Sequence, residues 1–221
     1  MNSLWKQVDD YYNEKLNTMD PVMASVLQAN KKAGLPAIDV SPLQGKQLYL
    51  LAKLKGAKNI LEIGTLGGYS TIWLARALPE DGKMISLEFS EKHAAVAREN
   101  LKRAGVEHKV EVLVGPALET LPVLEEKGFS DFDFVFIDAD KSNNPGYLKW
   151  ALELCVSGAA IVGDNVVRNG EVVEQESEDE GIKGIREFTD LLSTDSRIDS
   201  TAVQTVGSKG YDGFVLGIVE K

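Results

Sequence analysis

The sequence predicts an α/β fold built on a doubly wound, mostly parallel sheet. From Asn59 onward, short apolar runs alternate with stretches of helical spacing, which is the pattern of a parallel sheet with helices on both faces. The runs are continuously apolar rather than alternating, as is typical of strands that are buried on both sides. The last two apolar segments are separated by only a short loop, so we expect them to form an antiparallel pair that closes one edge of the sheet.

Three helical segments precede the first strand. Residues 3–17 have helical spacing, and Asp20 with Pro21 begins a second helix, since Asp caps helices and Pro suits a first turn. Pro42 begins a third helix, which Gly56 ends. We expect a single domain in which a helical cap, residues 1–57, precedes a core of residues 58–221. The cap could cover the sheet, close over a ligand or form a dimer contact.

The core divides into alternating strands and helices. After a first strand that begins at Asn59, the predicted strands are 83–89, 109–115, 132–140, 159–165, 197–207 and 212–221. The predicted helices between them are 90–105, 116–128, 145–158 and 181–195.

Composition excludes several classes of function. The formal net charge is −10, and six acids fall within residues 171–180 without a base, so no basic patch favours nucleic-acid binding. No apolar run approaches the roughly 20 residues that cross a bilayer, and the polar start of the chain is unlike a signal peptide. The single cysteine, Cys155, lies in an apolar setting typical of a buried thiol. We therefore expect a cytoplasmic protein without nucleic-acid or membrane partners.

The stretch NILEIGTLGGYS, residues 59–70, predicts a strand, a tight glycine turn and the start of a helix. Such a unit can hold a nucleotide-like ligand, because free N–H groups and the positive helix end converge there. Leu66 stands where a dinucleotide fingerprint needs its second glycine, and no lysine follows Gly68 as a P-loop requires. Glu62 is either a structural carboxylate or a ligand contact, and Ser70 either caps the helix or donates to a ligand carboxylate.

Polar residues follow the other strand ends, where ligands bind in open parallel sheets. Glu88 ends the second strand and is placed to accept hydrogen bonds from ribose hydroxyls. Asp138, Asp164 and Asn165 end the neighbouring fourth and fifth strands, and their hard oxygen ligands suit a cation such as Mg²⁺, although loop capping would also explain them. Beside such a cation, the amine of Lys141 could take a proton. The two histidines lie away from these ends, so we interpret His93 and His108 as surface residues.

These residues resemble a known family. The segments ILEIGTLGGYSTIWLARALPEDGK, ISLEF, FDFVFIDADK, GDNVVRNGEV and DGFVLGIV, in this order, are similar to those of the cation-dependent O-methyltransferases that act with S-adenosylmethionine, such as caffeoyl-CoA and catechol O-methyltransferases. The resemblance covers roughly residue 40 to the end. It implies the Rossmann-like class I methyltransferase fold, a seven-stranded sheet whose last strand is antiparallel.

The resemblance also implies roles for individual residues. The implied cofactor-binding residues are Val40, Glu62, Gly64, Gly68, Ser70, Glu88, Ala117 and Asp138. The implied metal ligands are Asp138, Asp164 and Asn165, and the implied catalytic residues are Lys141 and Asp138. Pro116 departs from the family pattern near the adenine, and the SNNPG loop after Lys141 differs from plant members, so plant acceptors cannot be transferred to this chain.

The expected function is methyl transfer from S-adenosylmethionine to a hydroxyl of a small, catechol-like aromatic acceptor. The acceptor's two adjacent oxygens would chelate a divalent cation. We expect this cation to be Mg²⁺, with Ca²⁺ or Mn²⁺ as alternatives. Exposed apolar residues of the first helix, Trp5 and Tyr12 among them, make a homodimer the expected assembly. Two alternatives remain open: an inactive cofactor-binding module and a nicotinamide-dependent oxidoreductase. We expect the acidic segment 171–180 to lie over the acceptor pocket and to become ordered when an acceptor binds.

Overall fold

A computed structural model gives the structure of the chain and describes residues 3–16 and 18–221. Its strands are β1 (Asn59–Ile63), β2 (Lys83–Glu88), β3 (Val110–Val114), β4 (Phe132–Ile137), β5 (Cys155–Asp164), β6 (Ile198–Gly207) and β7 (Gly210–Val219). Its helices are α1 (Ser3–Lys15), α2 (Pro21–Lys32), α3 (Pro42–Lys55), α4 (Tyr69–Ala77), α5 (Glu91–Ala104), α6 (Ala117–Thr120), α7 (Asn144–Leu154) and α8 (Glu180–Thr194). Residue 17, at the end of the predicted first helix, lies outside the described residues.

Within the described residues, the strands form one seven-stranded sheet in the order β3-β2-β1-β4-β5-β7-β6. The first five strands pair in parallel, and β7 pairs antiparallel with both β5 and β6. The predicted fold class is therefore confirmed, including the antiparallel pair at the edge. The strand order reverses between β1 and β4, which is where ligands bind in sheets of this kind.

The helix ends follow the predicted chemistry in the first part of the chain. Asp20 caps α2 by accepting a hydrogen bond of 2.8 Å from the N–H of Met23, and Pro21 occupies the first turn. Ser41 caps α3, and Gly56 ends that helix in the left-handed conformation, with a φ of 70°. Local signals were sufficient at these positions because the capping groups lie within three residues of the helix.

Two predicted helices are wrong in extent. The helix predicted over 116–128 stops as α6 after Thr120 and continues only as a 3₁₀ turn over Leu121–Val123. Pro122 explains the break, because it has no N–H to donate and its ring clashes with the preceding turn. The helix predicted over 145–158 ends at Leu154, where the backbone turns extended and β5 begins at Cys155 instead of residue 159.

The sheet is buried on both faces. Ile60 packs with Phe134 and Ile72 on one face, whereas the next residue, Leu61, packs with Ile137 on the other face. Successive residues of a strand point to opposite faces, so a continuous apolar run serves both layers at once. Along the described part of the chain, no helix is both long enough and apolar enough to span a membrane.

Candidate functional site

A cavity of about 910 Å³ opens at the carboxyl ends of the central strands. Its wall combines the loop before α3, the glycine turn after β1, the ends of β2 and β3, and the segments that follow β4 and β5. The predicted site residues in the wall are Val40, Gly64, Ser70, Glu88, Ala117, Asp138, Lys141 and Asn165. The other three, Glu62, Gly68 and Asp164, do not line the cavity, but each is next to or hydrogen-bonded to a residue that does. The sequence-predicted residues thus converge on one cavity.

The glycine turn brings β1 and β4 into close contact at the cavity floor. Gly64 has a φ of 105°, and a Cβ built on it would lie 2.2 Å from the carbonyl oxygen of Asp138. Gly68 also has a positive φ and begins α4 without a side-chain cap. The N–H groups at the start of α4 therefore keep their capacity to bind a ligand.

Glu62 is completely buried behind this turn. Its carboxylate accepts hydrogen bonds from three hydroxyls, those of Ser70 (2.7 Å), Thr71 (2.5 Å) and Ser86 (2.6 Å). Burial raises the pKa of Glu62 to about 7, although the three hydroxyls oppose the shift. Glu62 is connected to the cavity through Ser70, which lines the wall, and its direct contact with a cofactor stays a prediction.

Glu88 is held in the wall by backbone and side-chain donors. Its Oε2 accepts a hydrogen bond of 2.7 Å from the N–H of Leu66, and its Oε1 accepts one of 2.9 Å from the N–H of Ser90. The Nδ1 atom of His93 lies 3.2 Å from the same Oε1. The interpretation of His93 as a surface residue was therefore wrong. Because Ser90 caps α5 immediately after β2, the first turn of that helix faces the cavity.

The loop before α3 contributes a carboxylate that the sequence reasoning missed. Asp39 lies in the wall beside Val40, and its Oδ1 accepts a hydrogen bond of 2.8 Å from the amide of Asn30. Burial raises the pKa of Asp39. Asn30 in turn accepts a hydrogen bond of 2.8 Å from Asn100, so α2 and α5 together hold the loop in place. Only the adjacent IDVSP motif pointed to this loop.

At the other end of the cavity, Ala117 is the first residue of α6, and Pro116 precedes it in the wall. Tyr147 closes this side, and its hydroxyl donates a hydrogen bond of 2.6 Å to Asp140. Burial and the neighbouring Asp140 raise the pKa of Tyr147 above its usual range. The tyrosine is therefore a fixed hydrogen-bond donor at neutral pH.

Asp138, Asp164 and Asn165 meet where β4 and β5 end. Ile137 and Gly163 are direct partners in the parallel ladder, which sets the following residues, Asp138 and Asp164, side by side. Burial and the charge of Asp138 raise the pKa of Asp164 to about 7. The Nζ atom of Lys141 lies 3.0 Å from Oδ1 of Asp138.

The oxygen chemistry of this set fits a hard divalent cation. Oδ1 of Asp164 accepts a hydrogen bond of 2.8 Å from the N–H of Asn165, and Oδ2 accepts one of 2.7 Å from the amide of Gln44. Each oxygen keeps a second lone pair for a cation. Among the described residues, no group of three or more His, Cys, Asp or Glu could hold a metal, so the set reaches three ligands only with the amide of Asn165.

The end of the acidic segment also reaches the cavity. Asp179 caps α8 by accepting a hydrogen bond of 3.0 Å from the N–H of Ile182, and Glu180 and Gly181 line the wall next to Lys141. The preceding residues form a kinked 3₁₀ segment over Arg168–Val173, in which Asn169 and Gly170 adopt left-handed conformations. The predicted ordering of this segment by an acceptor stays a prediction.

Comparison with known proteins gives consistent matches over nearly the whole chain. A family model described as O-methyltransferase matches residues 13–216. The chain is 47% identical over 219 residues to a catechol O-methyltransferase of Niastella koreensis, with 99% of each chain covered. It is 50% identical over 212 residues to a catechol O-methyltransferase of Mycobacterium tuberculosis, covering 96% of this chain and 94% of that protein. The solved O-methyltransferase from Bacillus cereus in complex with SAH is 53% identical, with a TM-score of 0.98 over all of both chains.

Proposed function

This chain belongs to the O-methyltransferase family, and on that premise we propose that it methylates one hydroxyl of a small, catechol-like aromatic acceptor held by a divalent cation. Methyl transfer from S-adenosylmethionine follows from the family and from its relatives, and the predicted family is confirmed. The nicotinamide-dependent alternative is wrong. The cation and the acceptor class are the parts that we propose.

One observation carries the proposal. Asp138, Asp164, Asn165 and Lys141 converge where β4 and β5 end, next to the glycine turn at which the cofactor would bind. Asp164 is buried beside the partly exposed Asp138, and a cation stabilises two carboxylates in such proximity, which supports a metal at this position. The relatives named above are catechol O-methyltransferases, and two adjacent hydroxyls are well suited to chelation.

Each residue would then have a distinct task. When bound, S-adenosylmethionine supplies an electrophilic methyl group, and a divalent cation lowers the pKa of a hydroxyl that it binds. Asp138, Asp164 and Asn165 would hold the cation. A cation bound beside Lys141 would favour the neutral form of its amine, which would then accept the acceptor's proton at Nζ. The close contact of Gly64 with Asp138 would keep the cofactor and the acceptor in fixed relation, so that proximity lowers the barrier.

The test is a mass-spectrometric screen of catechols, caffeoyl thioesters and flavonoids with S-adenosylmethionine, in the presence of Mg²⁺ and then of a chelator. We expect methylated diols that disappear with the chelator. Asp164→Asn and Asn165→Ala should lower kcat/KM at least about a hundredfold. Lys141→Ala should lower kcat about a hundredfold to ten-thousandfold.

Asp190→Asn is the matched control, because it makes the same change at an exposed acid of α8 that lies outside the cavity wall. Methyl transfer that survives both the chelator and these variants would refute the metal role. Cofactor binding without any product across the whole diol panel would favour the remaining alternative, an inactive cofactor-binding module.

We also propose that the chain forms a homodimer through an apolar patch, defined as Val8, Tyr11 and Tyr12 of α1 with Val203 and Val206 of β6. All five are exposed, and α1 packs against β6. Tyr12→Glu should convert a dimer to a monomer in sedimentation velocity, whereas Val173→Glu, which changes an exposed residue outside the patch, should not. A monomeric wild-type chain would refute this proposal. The predicted cytoplasmic location stays a prediction.

A further inference from the structure

Arg168 lies in the cavity wall three residues after Asn165, one of the proposed metal ligands. Among the described residues, its guanidinium has no hydrogen-bond acceptor and no acid within 4.0 Å. The chain has six arginines. The other five side chains all donate hydrogen bonds, and they are Arg76, Arg98, Arg103, Arg186 and Arg197. The one arginine without such a partner is thus the one that faces the cavity.

The backbone of Arg168 is fixed in an unfavourable conformation. Its φ is 52°, in the left-handed region where a side chain such as arginine is disfavoured. The N–H groups of Val167 and Arg168 both donate hydrogen bonds of 3.0 Å to Oδ1 of Asp212, which holds this conformation in place. Glycine or asparagine would occupy the position with less strain. The conformation of the turn therefore does not explain why an arginine occupies this position.

Among the described residues that line the wall, Arg168 is the cation without a charged partner. Lys141 is paired with Asp138 at 3.0 Å, and His93 contacts Glu88. Glu180, the residue of the acidic segment that lines the wall, is paired at 2.8 Å with Lys183, which lies outside the wall. An unpaired guanidinium at the rim of a site that takes a small organic molecule is suited to an anionic group of that molecule, because its planar fork matches a carboxylate.

We propose that Arg168 selects acceptors that carry a carboxylate on the aromatic ring or on a short side chain of it. This inference rests on the proposed function, since it takes the diol to be held at Asp138, Asp164 and Asn165. The ring would extend from that set toward the rim, where Arg168 would receive the carboxylate. Arg168 is thus a specificity-determining residue and takes no part in the proton transfer.

The experiment compares matched charged and neutral acceptors. Wild-type protein is assayed with 3,4-dihydroxybenzoate and 3,4-dihydroxybenzamide, and with 3,4-dihydroxycinnamate and its amide to vary the reach. We expect the wild type to prefer the acids. Arg168→Gln should lower kcat/KM for the preferred acid about tenfold or more, and change that for its amide less than about twofold. Arg168→Lys should recover part of the preference.

Two controls separate this role from others. Arg168→Asn, which suits the left-handed backbone, should behave as Arg168→Gln, and Lys149→Gln removes an exposed positive charge of α7 and should change neither acceptor. A parallel loss for acid and amide would overturn the proposal in favour of a structural role. A weaker affinity of Arg168→Gln for S-adenosylmethionine would overturn it by assigning the guanidinium to the cofactor's carboxylate.

The outcomes also distinguish this inference from the proposed function. Wild-type protein that methylates the amides as well as the acids would overturn the role of Arg168 and leave the proposed function standing. The absence of methyl transfer to any diol would refute the proposed function and, with it, the inference.

Discussion

The side-chain amide of Gln44 donates a hydrogen bond of 2.7 Å to Oδ2 of Asp164, across a separation of 120 residues. Gln44 lies in the first turn of α3, within the N-terminal segment that the sequence presented only as a helical cap. Asp164 is almost completely buried at the end of β5. A buried carboxylate oxygen that loses its donor is unfavourable, so Gln44 fixes the orientation of the carboxylate proposed to bind the cation.

Gln44→Leu should therefore weaken the cation site without removing a ligand. We expect the Mg²⁺ concentration for half-maximal activity to rise about tenfold or more. The affinity for S-adenosylmethionine, measured by calorimetry, should stay unchanged. Gln47→Leu, on the same helix, serves as the control. An unchanged Mg²⁺ dependence in Gln44→Leu would show that Asp164 does not need this partner.

The sheet could be predicted from the sequence because its signals are local. The apolar run of β4 is continuous in the sequence because the strand is buried on both sides, with Phe134 and Val135 on opposite faces. The helix predicted over 116–128 is too long because its helical spacing continues past Pro122, which interrupts the helix. The start of β5 at Cys155 could not be found, because its pairing with Phe132 depends on a partner 23 residues away.

The candidate site was predictable where its residues follow strand ends. Asp138, Asp164 and Asn165 share one edge by topology alone, since parallel strands end on the same side. Gln44 and Asp39 enter from the helical segment, whose position over the sheet no local pattern encodes. His93 lies away from the strand ends in the sequence, but the short connection at Ser90 turns the start of its helix toward the cavity.

The contact between α8 and the turn that carries Lys141 should be sensitive to one added methyl group. A Cβ at Gly184 would lie 2.3 Å from the carbonyl oxygen of Lys141, so this turn must move in Gly184→Ala. We expect kcat to fall about tenfold or more, because small displacements of a catalytic group are costly. Cofactor affinity should remain near that of the wild type. Ser193→Ala, an exposed change in α8, should leave kcat unchanged, and a wild-type kcat in Gly184→Ala would contradict the prediction.

His93 should contribute to cofactor binding through Glu88. Because Glu88 keeps the N–H donors of Leu66 and Ser90 when His93 is removed, we expect a modest effect. His93→Ala should raise the Kd for S-adenosylmethionine about threefold to tenfold, equivalent to about 1 kcal/mol. Calorimetry would measure it. His108→Ala removes the other histidine, which lies outside the cavity, and should leave the Kd unchanged. Equal effects of the two variants would refute a specific role for His93.

Glu62 makes stability depend on pH in an unusual direction. Its pKa is about 7 in the folded chain, against 4.5 for an unperturbed glutamic acid. The folded state therefore binds the proton more tightly than the unfolded state. The contribution of Glu62 to stability is complete below about pH 4.5 and is lost as the pH rises to about 7, which amounts to about 3 kcal/mol.

Glu62→Gln should remove this part of the pH dependence, because an amide cannot ionise and the hydroxyls of Ser70, Thr71 and Ser86 can accept as well as donate. In urea denaturation with a chelator present, the wild type should lose about 3 kcal/mol more than Glu62→Gln between pH 4.5 and pH 8. Glu187→Gln, an exposed change in α8, should follow the wild-type curve. Parallel curves for wild type and Glu62→Gln would mean that Glu62 is ionised throughout this range, with its charge balanced by the three hydroxyls alone.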